Sequence, residues 1–183
     1  MIMVGAAGAG GVERLCGRLC RVQSVIRRLE DADVATVVAF SLAAWAPVFA
    51  SIDAELGPEV YGLLFPDWRS AQANAVEATC RASENDVWVA VVDDRPVGFV
   101  AMGVVDEDAT RAGEIHMIAV DPAHQGAGVG ASLMQRAIAE IKAQGVDLAV
   151  VATGADPGHA AARALYEKLD FNALHLVRYY RTL

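Results

Sequence analysis

The spacing of apolar residues divides the chain into an early helical part and a later part in which strands and helices alternate. A short strand is predicted at 25–29. Apolar residues then recur at helical spacing from Ala32 to Phe49, where Pro47 should stop or kink the helix. A second helical region at 58–82 is interrupted near residues 65–66. The early part is therefore expected to run β, α, α.

From Asp86 the hydrophobic period changes from about 3.6 to 2, which is the alternation of β-strands. Strands at 87–92 and 97–105 flank a polar turn and predict a β-hairpin. A third strand at 114–120 leads through a glycine cluster to a helix from Val129 to about Gln144. The remaining predicted elements are a strand at 148–152, a helix at 159–169 and a strand at 173–182.

This order predicts a mixed α/β fold of three layers, with a mostly antiparallel central sheet and helices on both faces. The length of 183 residues suits one domain at 25–183, after a Gly/Ala-rich N-terminal extension at 1–24 that we expect to be mobile. We expect no uncharged apolar run to approach the roughly 18 residues that span a bilayer. The chain start does not resemble a signal peptide, so a cytoplasmic location is expected.

Net charge and cysteine content limit the classes of ligand and partner that the sequence predicts. Lys and Arg number 15 against 23 Asp and Glu, a net charge of −8, which argues against nucleic acids and anionic membranes. The three cysteines are an odd number without a C-x-x-C pair, which predicts reduced thiols and no metal site.

The most informative stretch is the glycine cluster, residues 125–132, between a predicted strand and a predicted helix. Free N–H groups and the helix dipole favour an anion there. A P-loop would need a lysine where Ala131 stands and a glycine where Gln125 stands. A dinucleotide-binding fingerprint matches Gly126, Gly128 and Ala131, but residues 121–125 separate the strand from the first glycine. A plain glycine-rich turn is the structural alternative.

The cluster also resembles the pyrophosphate loop of the GNAT superfamily of N-acetyltransferases. Gln125, Gly128 and Gly130 match that family's Arg/Gln-x-x-Gly-x-Gly/Ala signature. Residues 118–122 resemble the strand that precedes the loop, and residues 165–171 resemble the late Leu-Tyr-x-x-x-Gly-Phe segment. The resemblance spans residues 25–183 and is strongest from 114 to 171.

Two positions depart from the family pattern. Asp170 stands where the family usually has glycine, which should alter only the turn after the last helix. His159 stands where many members carry an asparagine that contacts the cofactor arm. We expect this histidine to contact backbone or solvent.

The resemblance implies transfer of an acetyl group from acetyl-CoA, without a metal, to an amine that attacks directly in a ternary complex. Backbone N–H groups of the loop would hold the CoA pyrophosphate, with the Ser132 hydroxyl adding a contact. Backbone groups of the preceding strand would pair with the pantetheine arm. The implied cofactor-binding residues are Ile118, Val120, Gln125, Gly126, Ala127, Gly128, Val129, Gly130, Ala131 and Ser132.

Two catalytic residues are also implied. An amine with a pKa of about 10.4 must lose a proton before it attacks, and the leaving thiolate, with a thiol pKa of about 8.5, needs one. Tyr166 matches the family tyrosine near the thioester sulfur and is the predicted proton donor. Glu114 is the predicted base. His116 is a second candidate that shares its face of the strand unless a bulge breaks the alternation.

The acceptor is left open as a small-molecule or peptide amine, and a homodimer is common in the family. We expect the aromatic residues of the early helices to be mostly core, with one or two lining the acceptor pocket. These residues are Trp45, Phe49, Tyr61 and Trp68. Tyr179 or Tyr180 could meet the substrate from the last predicted strand. The alternative functions are a catalytically silent acyl-CoA-binding or sensing domain and a nicotinamide-dependent oxidoreductase.

Overall fold

The computed structural model describes residues 24–183, so the predicted extension at 1–24 lies outside the described residues except for Ser24. Five strands and four α-helices form this part of the chain. The strands are β1 (Val25–Arg28), β2 (Asp86–Val92), β3 (Arg95–Glu107), β4 (Thr110–Val120) and β5 (Ala149–Val151). The helices are α1 (Val34–Leu64), α2 (Trp68–Arg81), α3 (Val129–Ala143) and α4 (Ala160–Lys168).

The strands form one sheet in the order β1-β2-β3-β4-β5. All neighbouring pairs are antiparallel except β4 and β5, which are parallel. The β2–β3 hairpin turns through Asp93 and Asp94, whose positive φ angles of 48° and 59° match the twist of the flanking strands. The predicted mixed, mostly antiparallel sheet is confirmed.

Helices cover both faces of the sheet, as the element order predicts. On one face, α1 and α2 pack on Val89 and Phe99, with the Phe40 ring 6.3 Å from that of Phe99. On the other face, α3 packs through Leu133 and Ile141, and α4 through Tyr166. The fold is therefore three-layered, with a hydrophobic core on each side of the sheet.

Helix α1 passes through Pro47 without stopping and breaks instead at Gly57, where φ is 75° and ψ is 161°. The prediction that the helix stops or kinks at Pro47 was therefore wrong, because the backbone leaves the helical conformation only at Gly57. The α1 residues that follow this proline, Val48 and Phe49, are buried, so packing continues the helix. At the break, Pro58 disfavours helical backbone in the residue before it, and glycine accepts the positive φ.

The expectation about apolar runs was also wrong. Residues 34–52 contain no charged residue, a run that exceeds the roughly 18 residues needed to span a bilayer. By length and composition alone, the helical stretch Asp31–Leu64 is long and apolar enough to cross a membrane. In this fold the same helix covers the sheet, with Val37 and Phe40 buried, so its apolar inner face has a partner.

The strand predicted at 173–182 is absent, and residues 172–183 have no regular secondary structure. Leu174, Leu176 and Tyr179 are each more than 80 % exposed. A strand needs an edge to pair with, and β5 offers only the three residues Ala149–Val151. Local β propensity at the C-terminus is therefore not realised in this chain.

The turn before that segment keeps the geometry expected of a glycine. Asp170 follows α4 with a φ of 62°, the left-handed region that glycine adopts without strain. The departure from the family pattern therefore changes the residue and leaves a left-handed turn in place.

A pair of glycine substitutions tests the packing of α3 on β4. A Cβ built on Gly113 would lie less than 3.0 Å from three side-chain atoms of Ile141. We expect Gly113→Ala to lower the free energy of unfolding by about 1–3 kcal/mol, because the core must shift to admit it. The measurement is urea unfolding followed by circular dichroism.

The matched control is Gly62→Ala, at an exposed α1 position with nothing within 4 Å of the added Cβ. Alanine there should raise stability by up to about 1 kcal/mol, because it loses less backbone entropy in a helix. Equal stability of the Gly113 variant and the parent protein would contradict the described packing of Ile141.

Candidate active site

The candidate site is a groove that opens where β4 and β5 separate. The two strands pair only from Gly113 to Ile115 on β4, while β4 continues to Val120. Beyond Ile115 the edge of β4 that faces β5 therefore has no strand partner. The gap connects the two faces of the sheet.

Backbone groups of β4 point into this gap. The Asp121 N–H donates to the Val97 carbonyl at 2.8 Å, and peptide directions alternate along a strand, so Ile118 and Val120 present theirs to the free edge. The Gln125 side chain donates to the Val120 carbonyl at 3.1 Å. The remaining groups can pair with an extended ligand, whereas both side chains pack on the core beneath α3.

The glycine loop ends at the beginning of α3. Gly126 and Gly128 have φ angles of 76° and 89°, which glycine adopts without strain, and a Cβ added to either would meet nothing within 4 Å. The first α3 hydrogen bond runs from the Ser132 N–H to the Gly128 carbonyl at 3.1 Å. The N–H groups of residues 129–131 therefore have no acceptor within the helix, which favours an anion at this end.

The groove has a volume of about 480 Å³ and is lined from three sides. Trp45 comes from α1, residues 118–120 from β4, and Tyr166 from α4. A second cavity of about 430 Å³ lies along the loop, beside Ser132. Lys168 lines both cavities and adds a cation next to the anion-binding end of α3.

Tyr166, the predicted proton donor, lies on α4 and lines the groove. Its side chain packs beside Phe171, with ring centroids 6.1 Å apart, and burial raises the pKa of Tyr166 to about 12. The hydroxyl makes no hydrogen bond to residues 24–183, yet it is not sealed from solvent. It is therefore a protonated phenol facing the groove at neutral pH.

Glu114 and His116 lie together on the α1/α2 face of β4, outside the wall of the groove. Their side chains approach to 3.6 Å between Oε2 and Nδ1. Met102 pairs with Ile115 and Ala101 with Met117, so His116 is the extra residue of a β-bulge. The bulge is present, and it leaves the two side chains neighbours on one face. Neither Glu114 nor His116 lines the groove.

A buried aspartate and a histidine form a pair at the beginning of α4. The Asp156 carboxylate, 5 % exposed, contacts the Nδ1 atom of His159, which lines the groove. Burial raises the pKa of Asp156, but His159, Ser51 and the Gly158 N–H outweigh it and hold that pKa below its usual range. The expectation that His159 contacts only backbone or solvent was therefore wrong. The Asp-x-x-His spacing was the available signal.

Of the four early aromatic residues only Phe49 is buried, so the expectation that most of them are core was wrong. Trp45 lines the groove, whereas Phe49 stacks on Trp68 with ring centroids 4.2 Å apart. Neither Tyr179 nor Tyr180 reaches the groove wall. Among residues 24–183 no group of three or more His, Cys, Asp or Glu side chains is placed to hold a metal ion.

A sequence profile of the Acetyltransferase (GNAT) family matches residues 52–171 of this chain. This range holds the separated strands, the glycine loop and Tyr166. The chain therefore belongs to the acetyltransferase (GNAT) family, and the resemblance noted in the sequence is confirmed.

Individual relatives agree. The chain is 36 % identical over 91 residues to a mycothiol acetyltransferase of Kocuria rhizophila, spanning 49 % of this chain and 29 % of that protein. It is 39 % identical over 88 residues to the [ribosomal protein bS18]-alanine N-acetyltransferase of Salmonella typhimurium, and this match spans 48 % of this chain and 55 % of that protein. The match thus covers little more than half of these relatives at most.

A solved structure shows the same fold. The crystal structure of a predicted acetyltransferase with acetyl-CoA from Clostridium acetobutylicum aligns with a TM-score of 0.58 at 15 % identity. The alignment covers 87 % of this chain and 96 % of that one.

A second pair of glycine substitutions tests the anion-binding loop. Gly128→Ala should weaken acetyl-CoA binding, because alanine at a φ of 89° strains the backbone that presents the N–H groups. The affinity is measured by isothermal titration calorimetry. Gly145→Ala is the control, at the other end of α3 with a φ of 73° and nothing within 4 Å of its Cβ.

Both variants should lose about 1–2 kcal/mol of stability from the strain of a left-handed alanine. Only the Gly128 variant should lose affinity. Equal affinity in both variants would show that the loop does not hold the ligand.

Proposed function

We propose that this chain transfers an acetyl group from acetyl-CoA to an amine that attacks directly in a ternary complex. The observation that carries the proposal is one groove that joins three features. These are the free edge of β4, the exposed N–H groups at the beginning of α3 and the protonated hydroxyl of Tyr166.

The described residues fit acetyl-CoA as a substrate. The free backbone groups of Ile118 and Val120 match the amides of a pantetheine arm laid along β4 as an added strand. The open cradle at Gly126 and Gly128 suits a pyrophosphate, and Lys168 supplies a positive charge beside it. An acidic protein therefore holds a polyanion through backbone N–H groups and a local cation.

Direct attack is favoured over a covalent acyl-enzyme. No cysteine or serine lines the groove within residues 24–183. Cys80 is packed in the core on the α1/α2 side, and burial raises the pKa of its thiol to about 11. The thiolate that a nucleophile requires is therefore not available there.

The acid step falls to Tyr166. When the C–S bond of the thioester breaks, the electron pair leaves on sulfur, which takes the phenolic proton. A tyrosine is protonated at neutral pH, and burial, which raises the pKa of Tyr166 to about 12, keeps this hydroxyl protonated at higher pH as well. Removal of the proton from the ammonium is assigned by sequence to Glu114, which would have to act through water from its place outside the groove wall.

The acceptor is proposed to be a small-molecule or peptide amine. The two named relatives act on acceptors of both kinds, by their names. We assign the acceptor to the side of the groove that α1 lines with Trp45, Pro47 and Val48, where an apolar group next to the amine would be accommodated.

A ligand panel tests the cofactor. Thermal unfolding is measured with acetyl-CoA, CoA, NAD and ATP side by side. A ligand at a hundred times its Kd adds about 2.7 kcal/mol, and each kcal/mol raises Tm by about 2–4 °C in a domain of this size. We expect a shift of several degrees with acetyl-CoA and CoA alone. A shift with NAD alone, or none, would contradict the proposal, and binding without CoA release across an amine panel would favour a silent acyl-CoA-binding domain.

Substitution of Tyr166 tests the acid. Tyr166→Phe should lower kcat by about 100-fold or more, the usual contribution of a general acid, while acetyl-CoA still raises Tm as in the parent protein. Tyr179→Phe, at a residue 89 % exposed, is the matched control and should leave kcat unchanged. An unaltered kcat in the Tyr166 variant would remove this residue as the donor.

A further inference from the structure

We propose that His159 is the base that takes the proton from the acceptor ammonium, with Asp156 as its positioning residue. This inference rests on the proposed acetyl transfer to an amine. It assigns the base to the groove wall itself, where the sequence assigned it to Glu114.

The contacts of the imidazole define its state. Asp156 is buried and ionised, so it accepts the Nδ1–H of His159, and the lone pair is left on Nε2. No hydrogen bond to Nε2 comes from any residue between 24 and 183. Because His159 lines the groove, its second nitrogen is the one left for groove contents. This is the arrangement in which a carboxylate fixes a histidine as a proton acceptor.

The loop that carries the pair is built around it. A Cβ on Gly154 would lie less than 3.0 Å from both Asp156 Oδ2 and His159 Nδ1, so only glycine leaves room for the contact. Arg163 from α4 donates to the carbonyls of Gly154 and Asp156 at 2.6 and 2.8 Å. Arg163 therefore holds the backbone of the loop that carries the Asp156–His159 contact.

Helix α1 supports the pair from the other side. The Gly158 N–H donates to Ser51 Oγ at 3.1 Å, and a Cβ on Gly158 would lie 2.7 Å from the Val48 Cα atom. Val48 also lines the acceptor side of the groove. The imidazole is thus fixed next to the wall that an acceptor amine would contact.

The acid and the base both come from the α4 side of the groove. His159 precedes α4 and Tyr166 follows it by seven residues, about two helical turns. Both line the groove, whereas Glu114 lies outside its wall, with Oε2 3.6 Å from His116 Nδ1. Position therefore favours His159 as the group that meets the amine.

The surrounding charges are consistent with a proton acceptor. The Asp156 carboxylate compensates the positive charge that the imidazole gains, as in other carboxylate–histidine pairs. The Arg163 guanidinium is engaged by the two loop carbonyls. The other titratable groups along the groove are His124, Tyr166 and Lys168, and α1 contributes the neutral Ser51.

The proton and electron balance is complete. One ammonium proton goes to His159 Nε2, and the freed nitrogen lone pair forms the C–N bond. The C–S bond breaks, and the sulfur takes the proton of Tyr166. The second proton on nitrogen returns to the Tyr166 oxygen through solvent, and the imidazolium releases its proton to solvent. The products are the acetamide, CoA thiol and one proton.

The experiment measures CoA release from the full chain against pH, with glucosamine and an alanine-initiated tetrapeptide as amine probes. His159→Gln keeps a polar group of similar reach but cannot titrate. It should lower kcat/KM by about 100-fold or more and make kcat/KM fall with decreasing pH from the pKa of the acceptor amine downward, because only the free amine can then attack. Acetyl-CoA should still raise Tm. Asp156→Asn should lower kcat/KM by a smaller factor, because the imidazole is still present. His175→Gln, exposed at the C-terminus, is the control.

A second measurement covers the case in which the Gln variant does not fold. In His159→Ala, added imidazole should restore part of kcat, as a proton acceptor does and a structural support does not. Absence of rescue in a folded His159→Ala protein counts against the inference.

Three outcomes would overturn the inference while the proposed function stands. The Gln variant could keep the parent kcat/KM and pH profile, or it could lose affinity for acetyl-CoA with kcat retained, as a cofactor contact would. Alternatively, Glu114→Gln could produce the loss of kcat/KM and the steeper fall with decreasing pH, while His159→Gln leaves both unchanged. If the parent protein shows neither an acetyl-CoA-dependent Tm shift nor CoA release, the proposed function itself fails, and this inference with it.

Discussion

The short pairing of β4 with β5 is the constraint on which the rest of the site depends. Because the two strands share only the register from Gly113 to Ile115, the longer strand β4 carries an edge with unpaired backbone groups. An edge of this kind is a place where an extended ligand can add to the sheet. The same gap admits Trp45 from one face and Tyr166 from the other, so a single opening is shaped by both helical layers.

The glycine loop and the free edge are physically linked. The loop leaves β4 at Val120 and enters α3 at Val129, and Gln125 closes the turn by bonding back to the Val120 carbonyl. A ligand that pairs with β4 would therefore reach the N–H groups of α3 with its charged end. The acidic surface of the protein does not oppose this, because the attraction is local to the helix terminus and Lys168.

Local patterns were sufficient to predict the element order as far as α4, the three layers and the loop, since each depends on periodicity or on glycine at short range. They were insufficient where a distant partner decides the outcome. The helix through Pro47 persists because the following residues pack on the sheet, and residues 173–182 remain without a strand partner despite their β propensity. The Ser51 hydroxyl and the Gly158 N–H lie 107 positions apart in the chain, so their contact leaves no local signal. The Asp156–His159 pair was visible as a spacing, but its burial was not.

If His159 acts as proposed above, that long-range contact joins the acceptor wall to the proton chemistry. Val48 both lines the groove and lies against Gly158, which is next in sequence to His159. A shift of α1 that widened the groove would therefore move the support of the imidazole as well. Under that proposal acceptor shape and proton removal are not independent properties, because one helix positions both.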